Sequence, residues 1–137
     1  MALRYKATIR GAMLDLITTA VGSGGKLRIY DGTQPATAGA ATNLIVELVW
    51  SGVLSAGATV SADGGDTLLT CNLPTTANVS KSGTTTATWF RVVTSANAFC
   101  FDGTVGVGTG DLQLSTTSLV NGQPVNVTSF VIHEANP

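Results

Sequence analysis

Charge is what this chain has least of. Asp, Glu, Lys and Arg make up 11% of its 137 residues, against about 25% in ordinary soluble domains. The seven basic residues are scattered and the net charge is −1, so no basic stripe is available. Phosphate backbones are held by clustered Lys and Arg, and a nucleic-acid partner is therefore excluded. Aromatic residues reach only 6%, which leaves the core to Val, Leu, Ile and Ala. The longest apolar runs, such as Leu44 to Trp50, fall far short of the roughly 20 residues a membrane helix needs, and no membrane partner is expected. Met1 to Lys6 lack the apolar stretch of a secretory leader, so assembly in a cytosol is expected. Cys71 and Cys100 are then expected as reduced thiols, and the sequons at Asn78 and Asn126 as chance.

Reactive constellations are equally scarce. One His and two Cys cannot make a zinc site of the usual spacing without added carboxylates. His133 stands beside Glu134 near the end of a terminal strand, with no nucleophile elbow elsewhere in the chain, so a triad is not supported. The carboxylates sit mostly beside Gly or in turns, where Asp serves the backbone. Asp63-Gly-Gly-Asp66, and Asp102 with Asp111, fall short of a calcium loop. Gly106-Val-Gly-Thr-Gly110 lacks the Lys and following helix of a phosphate loop and reads as a β connection. No enzyme activity, no metal and no cofactor are expected.

What the chain does have is Thr, Ser, Gly and short β-branched runs. Residues 8–21 are the one helical candidate, with Thr8 as N-cap, Ile9, Met13, Leu14 and Ile17 as the buried stripe, and Gly22-Ser-Gly-Gly25 as the stop. Strands are expected at 26–30, 44–50, 58–62, 66–71, 84–94, 97–101, 111–115 and 125–133. Turn signals separate them, notably Ser95-Ala-Asn97 and Asn121-Gly122. Residues 1–137 thus read as a single domain with a possible N-terminal arm at 1–7. Its fold class is mainly β: a jelly-roll-like antiparallel β-sandwich with one short N-terminal helix, a closed barrel being the alternative. Within the strand at 84–94, Trp89 is expected in the core, and Trp50 is open between core and surface.

The most informative stretch is Lys26-Leu-Arg-Ile-Tyr30 running into Asp31-Gly-Thr-Gln-Pro-Ala36. Alternation makes the first part a strand. Asp31, Gly32 and Pro35 make the second a turn that a central strand cannot continue through. In wording, the segment resembles a group of small tailed-phage virion proteins. The likeness continues through the apolar strand at Leu44 to Trp50, Thr86-Ala-Thr-Trp-Phe-Arg91, Asp102-Gly-Thr-Val-Gly106 and Asp111-Leu-Gln-Leu114. The resemblance implies a jelly-roll capsid cement, or decoration, protein on the outer face of the virion. Its implied partners are the major capsid protein and further copies of itself, a dimer before a trimer. A tail, baseplate or fibre module and a carbohydrate-binding adhesion domain are the alternatives. Because Tyr, Trp and Arg dominate interface hot spots, the candidate contacts are Tyr5, Arg10, Tyr30 and Trp50.

Overall fold

The computed structural model describes residues 3–60, 63 and 65–134. Among these the chain forms one helix, α1 (Ala7–Val21), and nine strands: β1 (Lys26–Tyr30), β2 (Leu44–Val49), β3 (Thr67–Thr70), β4 (Thr84–Thr86), β5 (Trp89–Val93), β6 (Phe99–Gly106), β7 (Leu112–Leu114), β8 (Ser118–Val120) and β9 (Val127–Glu134). The chain is mainly β with a single short N-terminal helix, as its punctuation by Gly, Asn and Pro predicts.

Seven strands form one sheet in the order β2-β1-β5-β6-β7-β9-β3, and β4 pairs with β8 in a small second sheet. Twist accumulates from strand to strand, and here the large sheet curls until its ends meet. Beyond β3, the Thr75 N–H donates to the Val49 carbonyl at the end of β2 (2.9 Å). Trp50 packs 6.3 Å from Phe130, although β2 and β9 are first and sixth in the strand order. The curled sheet encloses one core, to which Leu27, Ile29, Leu48, Leu69, Phe90 and Phe130 contribute. This is a sandwich-like enclosure made by one sheet facing itself.

Pairing is mixed, not antiparallel throughout, because β6 and β7 run parallel at Val105–Leu112 and Gly106–Gln113. Parallel neighbours ordinarily need a crossover of a dozen residues or more. Here a short loop suffices because Gly108 and Gly110 take φ of +67° and +85°. A Cβ on Gly106 would sit 2.4 Å from the Thr109 carbonyl oxygen, so the chain can double back only over a bare backbone.

Three local expectations are corrected. The segment at 84–94 is two strands in different sheets. Between them the Ala87 N–H donates to Thr117 and the Thr88 N–H to Tyr30, so the chain changes partners at that point. Within the described part of 58–62 only a bridge from Thr59 to Leu68 forms, residues 61 and 62 lying outside the described residues. The N-cap position of α1 is Lys6, not Thr8, and its side chain makes no cap. Asp63 Oδ1 accepts the Ala7 N–H instead (2.8 Å), which satisfies one orphan donor from a distant loop.

A further correction concerns which side of α1 is buried. The inward residues are Ala7, Arg10, Gly11, Leu14 and Val21, while Ile9 and Met13 face outward. Close approach explains the rotation. A Cβ on Gly11 would meet Val60 Cγ2 at 2.8 Å, so the helix docks on the side where Gly11 allows close approach, and Ile9 and Met13 are turned away.

Gly103 plays a similar part in the sheet. It stands opposite Phe90, and a Cβ there would lie 2.5 Å from Phe90 Cε1. Gly103→Ala should therefore destabilise the domain by about 1–3 kcal/mol through overpacking. That loss would be read as a lower denaturant midpoint at unchanged slope. A midpoint equal to that of the wild type would mean that the Phe90 ring has room to yield.

Candidate interaction surface

Every residue of β5 is buried, although only Phe90 and Val92 point into the enclosed core. The other side of the strand is covered by the connection that leaves β1. Trp89 Nε1 donates to the Asp31 carbonyl (3.2 Å), Arg91 Nη1 to the Gly39 carbonyl (2.9 Å) and Thr88 Oγ1 to the Gly32 carbonyl (2.6 Å). Under this cover Arg91 grips Asp102 of β6 through two parallel bonds, Nε–Oδ1 at 2.7 Å and Nη2–Oδ2 at 2.9 Å. The guanidinium lies 5.5 Å from the Trp89 ring and 5.0 Å from that of Phe99, and Trp89 stacks on Tyr30 at 4.3 Å. The hydrogen bonds that Arg91 donates to Asp102 raise its pKa further, against the opposing effect of burial. Burial also pushes the Tyr30 phenol up.

At the start of the same connection, Lys81 Nζ and Thr85 Oγ1 both donate to Asp31 Oδ2. These bonds hold the Asp31 carboxyl below its ordinary value. The Asp-Gly-Thr-Gln-Pro-Ala turn is thus pinned at Asp31, Gly32 and Gly39 and serves as a structural latch over β5.

Burial removes most of the anticipated contact residues from the surface. Tyr30 and Trp50 are buried, and Trp50 Nε1 donates to the Asn72 carbonyl (2.7 Å). Arg10 is 0% exposed. Its guanidinium donates from Nη1 to the Gly65 carbonyl (2.6 Å) and from Nη2 to that of Asp63 (2.9 Å). Only Tyr5 of the four candidates reaches solvent. Residue type misleads here because the ring-plus-polar-tip chemistry that suits interfaces also suits a core edge where the polar tip finds a carbonyl. Of the arm expected at 1–7, residues 3–6 are exposed and stand outside any helix or strand. The Tyr5 carbonyl accepts from Arg10 Nε (3.3 Å) and Ala7 is buried, while residues 1 and 2 lie outside the described residues.

Burial instead brings forward residues that composition alone could not single out. On the outer side of α1, Ile9, Met13 and Leu16 are 49%, 42% and 66% exposed. Beside them a groove of about 510 Å³ runs between α1 and β6, lined by Leu16, Ile17, Ala20, Phe99 and Phe101. It adjoins a second, of about 350 Å³, where β6 and β9 diverge beyond the short β7, lined by Ile17, Phe101, Ile132 and His133 among others. The result is an apolar surface centred on the outer face of α1. An apolar period in the sequence marks a buried face, and nothing in that period reveals that the larger residues face out.

The chemistry-bearing residues do not converge. His133 Nδ1 lies 3.7 Å from Asp66 Oδ2, both well exposed. Asp15 accepts from the Ala58 N–H, Asp111 from the Thr104 N–H and hydroxyl, and Glu47 from Arg28. Among the described residues no group of three or more His, Cys, Asp or Glu is placed to hold a metal ion. Both thiols are free, and burial pushes that of Cys71 up to about 12 and that of Cys100 up as well. No protein-family model, no curated protein and no solved structure matches this chain. Among the described residues no helix is long and apolar enough to cross a membrane.

Two outcomes follow for the latch. Trp89→Ala removes the ring that Tyr30 and Arg91 pack on, and should cost about 3–5 kcal/mol; a normal thermal transition would contradict its role. Asp31, with its pKa depressed in the folded state, contributes stability that is fully present above its ordinary value near 3.8 and is lost as pH falls through the lower folded value. The stability difference between wild type and Asp31→Asn should therefore shrink on acidification. A difference that is constant with pH would detach Asp31 from the acid sensitivity of the fold.

Proposed function

We propose that this chain is a capsid cement (decoration) protein of a tailed phage. It acts on the outer surface of the virion, bound to the major capsid protein across capsomer seams. The observation that carries the reading is the exposed apolar surface of α1 and its flanking grooves in a chain with 11% charged residues. Such a surface suits a subunit that spends its life covered by neighbours. The likeness of its motif series to small phage virion proteins supplies the setting. Three of those motifs, Asp31 to Ala36, Thr86 to Arg91 and Asp102 to Gly106, meet in the latch around Arg91 and Asp102.

The mechanism is mechanical. DNA packed in a head presses the shell outward, and the seams between subunits yield first. A domain whose sheet closes on itself resists shear, so load applied at one edge reaches the other without opening the core. Bound across a seam, it adds its own interface energy to that junction, where central contacts count for more than area. Repetition over the shell multiplies modest contacts. A carbohydrate-binding platform would need exposed aromatic faces; Trp50, Trp89 and Tyr30 are all buried, and Tyr5 and Phe99 are each 37% exposed.

Quantitative mass spectrometry of purified virions, with the major capsid protein as reference, tests this directly. Cement requires a copy number comparable to that of the capsid subunit. A few copies per particle would move the protein to the tail, and absence from particles would overturn the reading.

A further inference from the structure

We propose that the outer face of α1 is a self-association seam, on which a second copy of this chain docks its own α1 antiparallel about a two-fold axis. The inference deepens the assembly reading by naming one partner of the same surface, and rests on that reading for its biological setting alone. Four observations carry it.

The first is the helix itself. Its fifteen residues include two charged ones, Arg10 and Asp15. Arg10 is buried with its guanidinium on the Asp63 and Gly65 carbonyls, and Asp15 is bound to the Ala58 N–H. The outward side therefore carries an apolar stripe of Ile9, Met13 and Leu16 flanked by Thr8, Ala12 and Thr19, and such a stripe on a helix is ordinarily buried. One side is buried by the β3–β9 region of its own chain, and the other is open.

The second is spacing. Ile9, Met13, Leu16 and Ala20 are separated by four, three and four residues and are all exposed, which is the rhythm of a two-helix seam. Inward residues Ala7, Arg10, Leu14 and Val21 occupy the remaining side, so the seam is separate from the face that holds the helix in place. Beside it stand Ala12 and Thr19, small and uncharged, which allow close approach.

The third is self-complementarity. A two-fold axis at the level midway between Met13 and Leu16 sets each Met13 against the Leu16 of the other copy. It also sets each Ile9 against the other copy's Ala20, a large residue opposite a small one. An isologous interface requires this kind of reciprocity. A parallel pairing would stack Ile9 on Ile9 and leave Ala20 facing Ala20 across a gap.

The fourth is charge. The first turn of α1 has no acidic residue and the last turn no basic one, so each helix end lacks the charge that its dipole favours. In the antiparallel pair Lys6 of one copy falls level with Ser23 of the other, just past the carbonyl end of its helix. Each copy thus supplies the positive charge that the other's C-terminus lacks. The seam itself carries no charge, so a charged partner would bury its charges unpaired.

The test is sedimentation equilibrium of the full chain and of Leu16→Asp, with circular dichroism and thermal melting to confirm that the variant is folded. Leu16 is mostly exposed, so the fold should survive the change. The wild type should be a reversible dimer, and Leu16→Asp should weaken it by about 30-fold or more, the loss expected of a central contact. In a Cys100→Ser background, Ile9→Cys mixed with Ala20→Cys should cross-link between chains, and Ile9→Cys alone should not. A wild type that is monomeric at every concentration would overturn the proposal. So would a dimer indifferent to Leu16→Asp, or an Ile9→Cys protein that cross-links to itself. A dimer in solution with no copies on virions would overturn the cement reading and leave the seam standing; abundant monomers on heads would do the reverse.

Discussion

The paired hydrogen bonds between Arg91 and Asp102 are the constraint on which the rest of the structure depends. A guanidinium and a carboxylate with side chains only 9% and 6% exposed need every remaining donor satisfied, since a buried charge without partners is costly. Gly39 of the connection after β1 supplies the missing acceptor, and Trp89 and Phe99 supply the aromatic faces. That requirement draws the 31–43 connection across β5 and makes the central strand of the sheet buried on both sides. With β5 fixed, β1 and β6 are fixed on either side of it, and the sheet can curl from a rigid middle until β2 meets the chain beyond β3.

Much of this arrangement was legible in the residues, and its limits are instructive. The strand at Lys26–Tyr30 and its turn follow from alternation and from Asp, Gly and Pro chemistry, both local effects. The same is true of the β5–β6 hairpin, where Asn97 takes φ of +70°. Long-range effects were not legible. Ala87 looks like an ordinary strand residue until Thr117 and Tyr30 compete for the backbone on either side of it. The Asp63 cap on α1 comes from a loop more than fifty residues away. The parallel β6–β7 pair depends on three glycines whose freedom permits many paths, one of which the packing selects.

The candidate surface shows the same division. Tyr, Trp and Arg are the residue types that suit contacts, yet Trp50 and Arg10 end in polar atoms that find backbone carbonyls inside the fold, and Tyr30 stacks its ring on Trp89. The outward residues of α1 are apolar and could be found by period, but the period does not say which side is in. Gly11 decides that, because only a bare backbone can approach Val60 so closely. The close approach at Gly11 sets the docking side, and Ile9, Met13 and Leu16 are left exposed.

Latch and surface together describe a charge-poor domain that carries a buried ion pair beneath its latch and leaves an apolar helix face exposed. The most direct measurement is the rate at which dilute peroxide oxidises Met13 in concentrated protein, read by peptide mass spectrometry against free methionine in the same tube. Met13 is 42% exposed in the single subunit, and thioether oxidation follows exposure. A covered helix predicts oxidation well below that of free methionine, rising toward it on dilution. Oxidation as fast as free methionine at every concentration would mean that the face stays open to water, and the account of this chain as an assembly subunit would be wrong.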